Sequence, residues 1–252
     1  MKALLQAALA RLGYRLEPVD LLAQGANLDE GFAAAARGLE PFTMTSVERL
    51  HALWQAVHYV ESAGIQGDFV ECGVWRGGSA MLACRALFAL GKATRKVHLF
   101  DTFQGMTEPR AVDVDRLGRS ASALLRSEKK SIARESIWCL ASVEDVRRNL
   151  LSTGYPAGLL RFVEGKVEET LPAQAPERIA ILRLDTDWYE STRVELLHLL
   201  PRVEDGGVLI VDDYGHWQGA RKAVDEALSS QVPPILLHRI DNTGRIGIVR
   251  RR

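Results

Sequence analysis

Between Ser46 and Ala63 the apolar residues Val47, Leu50, Leu53, Trp54, Val57 and Val60 recur at helical spacing, which predicts an amphipathic helix with one buried face. Upstream the pattern is weaker. Met1–Leu12 reads as a short helix, and 25–40 is rich in Ala and Gly with no firm period. Downstream, short apolar runs alternate with helical ones. Strands are predicted over Asp68–Cys72, Lys96–Phe100, Leu160–Glu164, Ile179–Leu184 and Val208–Val211. Helices are predicted over Ser79–Leu90, Ser142–Ser152, Glu190–Leu200 and Gly219–Ala227. Ser142 stands at an N-cap with Asp145 three positions on, close to a capping box. The stretch 107–137 is polar, rich in Arg and Ser, and weakly patterned. Ile235–Ile240 and Gly244–Arg250 are expected to pair as a hairpin across Asp241, Asn242 and Thr243.

Strands separated by helices in this way build a parallel sheet from βαβ units. The expected fold is α/β: a doubly wound, mostly parallel seven-stranded sheet with an antiparallel C-terminal hairpin. The expected division is a helical extension over 1–40 and one α/β domain over 41–252.

Composition narrows the function. Of 252 residues, 47% are hydrophobic and 25% charged, enough for a sizeable core. Lys+Arg and Asp+Glu balance at 32 each, so nothing points to a nucleic-acid partner. Three cysteines, Cys72, Cys84 and Cys139, with no CxxC pair argue against a disulfide framework or a cysteine zinc site and fit a reducing compartment. The first residues are amphipathic and lack the apolar region of a signal peptide, and no run approaches the roughly 18 apolar residues of a membrane span. A soluble cytoplasmic protein with no membrane partner is expected. A homo-oligomer is also expected, since the Ala-rich stretch before Glu40 needs a surface to bury its apolar side.

Four segments carry candidate chemistry. The first predicted strand ends in Glu71-Cys72-Gly73-Val74-Trp75-Arg76-Gly77-Gly78 and feeds a helix near Ser79. Glycines here let backbone approach a ligand at the carboxyl end of a strand. The GxxxG spacing lacks the second glycine of a dinucleotide fingerprint, so it suits a cofactor with a carboxylate and an amine rather than a pyrophosphate. The same glycines also serve an ordinary βα turn. The second strand runs into Asp101-Thr102-Phe103-Gln104-Gly105, where an acid is placed to take both ribose hydroxyls of a nucleoside, or simply to cap the next turn.

The last two segments each run an apolar strand into two aspartates: Asp185 and Asp187, then Asp212 and Asp213. Four carboxylates in one crevice repel unless a cation sits among them, and oxygen-only donors favour Mg²⁺, Ca²⁺ or Mn²⁺ over zinc. Acids just before a helix, such as Asp187 and Glu190, are favoured there without any metal. His216 follows the second pair and reads equally as a substrate contact or base and as a loop histidine. Trp75, Trp188 and Trp217 near strand ends either wall a pocket or pack the top of the sheet.

Together these segments resemble the macrocin O-methyltransferase family of class I S-adenosylmethionine-dependent sugar O-methyltransferases. The matching stretches are Phe42-Thr43-Met44-Thr45, 67–78, 101–105, 184–192 and 211–214, and the likeness covers roughly Glu40 to Arg250. The five parallel strands plus hairpin are also the strand list of a class I methyltransferase sheet. The resemblance implies S-adenosylmethionine, Mg²⁺ and a hydroxyl of a sugar or glycosylated natural product, an acceptor with adjacent hydroxyls. It implies Asp185, Asp212 and Asp213 as metal ligands and Asp187 as the base. It implies a cofactor site of Thr43, Met44, Glu71, Cys72, Gly73, Val74, Trp75, Asp101, Thr102, Phe103, Gln104 and Gly105, completed by Gly165 and Lys166 after the third strand. The family usually has threonine at Cys72, glycine at Thr186 and leucine at Trp188, so the last two make the acceptor side bulkier here. A catechol-type methyltransferase acting on a phenol uses the same metal logic. A catalytically silent cofactor-binding module of a biosynthetic complex is the reading from another class, and four mutually repelling acids argue against it. The segments 42–44 and 107–137 are expected to be lids.

Overall fold

The computed structural model describes residues 29–251; the helix expected over Met1–Leu12 lies outside them. The first described helix, α1 (Glu30–Ala36), begins at Asp29, whose side chain accepts from the Phe32 amide over 2.6 Å. Phe32, Ala36 and Leu39 are buried in the same core as α2 (Val47–Ser62). Ser46 caps α2, its side chain accepting from the Arg49 amide.

Seven strands form one sheet: β1 (Asp68–Cys72), β2 (Val97–Asp101), β3 (Leu160–Glu164), β4 (Ile179–Leu184), β5 (Val203–Val211), β6 (His238–Arg239) and β7 (Arg245–Ile248). Their order is β3-β2-β1-β4-β5-β7-β6. The first five run parallel, and β7 pairs antiparallel with β5 and β6. The expected doubly wound sheet with an antiparallel C-terminal hairpin is what forms. The order reverses at β1 and β4, and a crevice opens at their carboxyl ends, the usual ligand position in such sheets.

Alternation along the strands divides the core in two. Phe69, Leu99, Ile181, Val208 and Ile210 face α2, α3 (Gly78–Ala89) and α5 (Val143–Leu151). Val70, Cys72, Leu182, Leu184, Leu209 and Val211 face α7 (Tyr189–Leu199) and α8 (Gln218–Ser229). Both faces of the central strands are therefore buried, most completely in β4, which reads as a nearly continuous apolar run.

Three departures from the expected elements have local causes. β5 starts at Val203, five residues early, because the polar and glycine residues Glu204–Gly207 hide a strand from an apolar-run criterion. The hairpin is shorter than expected: β6 holds only two residues, following Pro233 and Pro234, which lack the N–H a ladder needs. The polar stretch 107–137 contains α4 (Ala121–Ser127), whose Ala121 and Leu125 are its buried positions, too few to set a period. A short α6 (Val167–Thr170) follows β3. Among the described residues no helix is long and apolar enough to cross a membrane.

Candidate active site

A cavity of about 540 Å³ opens at the carboxyl ends of β1, β2, β4 and β5. Of the expected residues it is lined by Thr43, Met44, Glu71, Gly73, Val74, Trp75, Asp101, Thr102, Gly105, Gly165, Lys166, Asp185, Asp187, Asp212 and Asp213. Cys72, Phe103 and Gln104 are not among its walls. Cys72 is buried in the sheet, where its carbonyl accepts from the Asp185 amide over 2.8 Å. Phe103 is buried and packs near Phe162, while Gln104 faces solvent.

At the β1 end the glycines serve the fold first. Gly73 has φ +81, and a Cβ there would stand 1.9 Å from the Asp185 carbonyl oxygen. Only glycine lets the β1 turn lie against the β4 turn, so the motif brings two chemical segments together rather than clearing space for a ligand. Asp101 stands where expected, but its carboxylate already accepts three backbone amides: Val74 at 2.6 Å, Trp75 at 3.2 Å and Phe103 at 2.7 Å. Burial pushes its carboxyl up and those amides pull it back. Asp101 thus shapes the β1 turn as well as facing the cavity. Glu71 is buried, and its Oε2 has no hydrogen-bond partner among the described residues. Burial pushes this carboxyl up to about 8, against the lowering pull of Arg183.

The acidic end is organised by two arginines that the sequence reading passed over. Arg183 is fully buried on β4. Its Nη1 donates to Glu71 Oε1 at 2.6 Å and to Asp185 Oδ2 at 2.8 Å, and its Nη2 donates to Asp212 Oδ1 at 2.7 Å and Thr45 Oγ1 at 3.1 Å. Arg49 on α2 pairs with the other oxygen of Asp212 and with Asp241 in the hairpin turn, 3.0 Å away. Five carboxyls, of Glu71, Asp185, Asp187, Asp212 and Asp213, therefore face two guanidiniums. Part of the expected repulsion is relieved internally, by arginine.

Burial and mutual repulsion raise the remaining acids. Burial pushes Asp187 up to about 7, and Asp185 adds to the rise. Asp213 is pushed well up by burial and then by the charges of Asp187 and Asp212. Asp185 is raised by burial more than Arg183 lowers it. Asp187 has φ +67, a left-handed turn that lets its amide donate to Asp213 Oδ2 at 3.3 Å. Among the described residues no three His, Cys, Asp or Glu side chains are already grouped to hold a metal ion.

An aromatic wall closes the far side. Trp188 and Trp217 meet edge to face at 4.9 Å, His216 lies beside Trp217, and all three line the cavity. α4 covers the tryptophans, with Ala121 and Leu125 in their cluster. Both bland and functional roles read for these tryptophans meet here: they pack and they wall.

A family model for macrocin-O-methyltransferase (TylF) matches residues 29–246. The chain belongs to this family. Its relatives include the 8-demethyl-8-(2,3-dimethoxy-alpha-L-rhamnosyl)-tetracenomycin-C 4'-O-methyltransferase of Streptomyces olivaceus, 36% identical over 203 residues, 80% of this chain and 73% of that one. Demethyldecarbamoylnovobiocin O-methyltransferase of Streptomyces niveus is 36% identical over 184 residues, 73% of this chain and 66% of that one. The solved structure of the O-methyltransferase NovP superposes with a TM-score of 0.70 at 34% identity, covering 83% of both chains. The family resemblance and the class I fold read from the sequence are both correct, and this member of the family is an O-methyltransferase.

Arg49 and Arg183 were legible only in part. Arg183 lies two residues before Asp185 within an otherwise apolar strand, and a charge in a strand buried on both faces is a signal of an internal pair. Arg49 is one polar position on an amphipathic helix and carries no such signal.

Proposed function

We propose that this family member transfers a methyl group from S-adenosylmethionine to a hydroxyl of a sugar or glycosylated natural product, assisted by Mg²⁺. The observation that carries the reading is the single cavity joining the β1 turn to the carboxyls of Asp185, Asp187 and Asp213. The named activities of the two Streptomyces relatives support the acceptor class.

S-adenosylmethionine supplies an electrophilic methyl on a sulfonium when bound. The unpartnered Glu71 Oε2 suits its ammonium, and Asp101 lies at the strand end suited to its ribose. Thr43 and Met44 cover this end, with Met44 half exposed at the rim. A divalent cation, when bound, supplies a Lewis acid and charge neutralisation. The donor set fits it in chemistry: Asp185 and Asp213 present carboxyl oxygens to the cavity, and oxygen donors suit a hard divalent cation. Asp185 and Asp213 each keep an oxygen free of arginine; Asp212 has both oxygens on arginines and joins only if one lets go.

Asp187, raised toward neutrality and unpaired with arginine, is the base for the acceptor proton. The aromatic wall and α4 exclude water from the acceptor end, and alignment rather than an oxyanion hole is what methyl transfer from a cation requires. The protein self-associates as a symmetric oligomer in this reading; a monomeric mass by light scattering removes that part of it.

The deciding experiment measures S-adenosylhomocysteine binding by calorimetry with and without Mg²⁺, then methyl transfer to a panel of glycosides and catechols. Transfer to vicinal diols of glycosides is expected. Transfer to catechols alone selects the phenolic alternative, and cofactor binding without any transfer selects the silent module.

A further inference from the structure

We propose that Asp113 is a positioning residue, a latch that holds the segment 107–120 across the acceptor end of the cavity. This rests on the acceptor site proposed above. Asp113 is fully buried within a polar loop, though it does not itself line the cavity. Its Oδ1 accepts from the Tyr189 amide at 2.8 Å, and its Oδ2 accepts from the Arg110 amide at 2.7 Å. Its carbonyl accepts from Ala121 at 2.9 Å, at the first residue of α4.

Tyr189 is the first residue of α7, and the helix's own N-cap residue, Trp188, provides no side-chain cap. An acid at a helix N-terminus satisfies an orphan amide and complements the helix dipole. Here the capping acid comes from the loop instead of the preceding residue. Among the described residues, segment 107–120 supplies the side-chain cap of α7.

The other side of the contact is built to receive it. A Cβ on Gly219, near the start of α8, would stand 1.9 Å from Asp113 Oδ1. Glycine in a helix is less favourable than alanine, and at this position the carboxylate occupies the missing methyl's place. Two further hydrogen bonds run along the same seam. Gln218 donates its amide to the Val114 carbonyl at 2.9 Å within the antiparallel bridge between Asp115 and Trp217, and Trp188 Nε1 donates to the Thr107 carbonyl at 3.2 Å. Thr107, Trp188, Trp217 and His216 all line the cavity. The latch therefore fixes the aromatic wall one residue beyond Asp187 without contacting substrate.

The test uses the full-length protein and four forms: wild type, Asp113→Ala, Gly219→Ala and the double variant. Each single variant is expected to raise the acceptor KM by roughly tenfold, to leave kcat within about threefold and to leave S-adenosylhomocysteine affinity within about twofold, tenfold being about 1.4 kcal/mol. Amide hydrogen exchange is expected to quicken at Tyr189 and across 107–120, with α2 and α3 unchanged. The double variant is expected to be no worse than Asp113→Ala, because the 1.9 Å clash goes with the carboxylate and only a 3.1 Å approach to the Tyr189 amide nitrogen remains. Gly219→Ala strikes the same contact while leaving every polar partner in place, so it reports if Asp113→Ala fails to fold. Unchanged exchange across 107–120 in the single variants overturns the latch, as do additive effects in the double variant. A parallel fall of Tm, KM performance and cofactor affinity also overturns it, because that marks a general structural role. If no glycoside is methylated by any form, the exchange data still decide the latch, and only the acceptor reading has failed.

Discussion

Arg183 Nη1 lies 2.6 Å from Glu71 Oε1, and both side chains are almost fully shielded from water. The same guanidinium holds Asp185 and Asp212, so one cation ties together the ends of β1, β4 and β5. Removing it leaves buried carboxylates uncompensated, which costs about 3–5 kcal/mol when one partner of a buried pair is deleted. Arg183→Met is expected to lose stability on that scale in urea unfolding. Arg183→Lys keeps the charge without the fork and should recover only part of it. Equal stability of Arg183→Met and wild type would show that the carboxyls simply take up protons.

Asp101 joins cofactor binding to the shape of the β1 turn, because Val74, Trp75 and Phe103 all donate to it. Asp101→Ala should weaken S-adenosylhomocysteine binding by more than one hydrogen bond to a charged group, roughly 1.5–3 kcal/mol, and should lower Tm as well. Calorimetry and a melting curve on the same sample check both. Weaker binding with an unaltered Tm would separate the carboxylate from the turn.

Asp185 and Asp187 flank Thr186 but have different partners: Asp185 pairs with Arg183, whereas Asp187 turns back toward Asp213. Asp185→Asn is expected to raise the Mg²⁺ concentration needed for turnover. Asp187→Asn should keep that requirement and lower kcat by about 10²–10⁴-fold, the usual contribution of a general base. A Mg²⁺ titration of each variant distinguishes them, and a reversed outcome exchanges the two roles.

Glu195 on α7 is fully buried beside Thr186, and among the described residues neither carboxyl oxygen makes a hydrogen bond of good geometry. Burial pushes its carboxyl up to about 8 from 4.5. The folded state therefore keeps a proton that the unfolded state releases between those values. Stability is fully present below the unfolded pKa, falls as pH rises by about 1.4 kcal/mol per unit, and levels off above the folded pKa. Glu195→Gln removes the titration. Its Tm is expected to approach wild type near pH 5 and exceed it near pH 8. A Tm difference independent of pH contradicts the assignment.

Much of the fold was legible because burial on both faces of the sheet leaves a plain mark. β1, β3 and β4 span the residues their sequence pattern predicts, and Ser142 caps the helix it precedes. The weak elements are those with little apolar content of their own. α1 shows as a few alanines and one phenylalanine, and α4 as two buried positions inside a polar stretch, since each is held by the surface it packs against.

The candidate site divides in the same way. Its acids could be read singly, because each ends an apolar strand and a strand end in such a sheet opens onto the crevice. Their partners could not: Arg49 and Arg183 are 134 positions apart and meet only at Asp212. The sequence by itself determined the strand order class, the family and the edge of the sheet at which chemistry happens, since these follow from local periodicity and motif spacing. Tertiary structure alone decided how five carboxyls share two guanidiniums and how Asp113 reaches the start of α7 from 76 residues away. Electrostatic and hydrogen-bond energies depend on distance in space, and a chain folded through crossovers leaves no trace of that distance in the order of its residues.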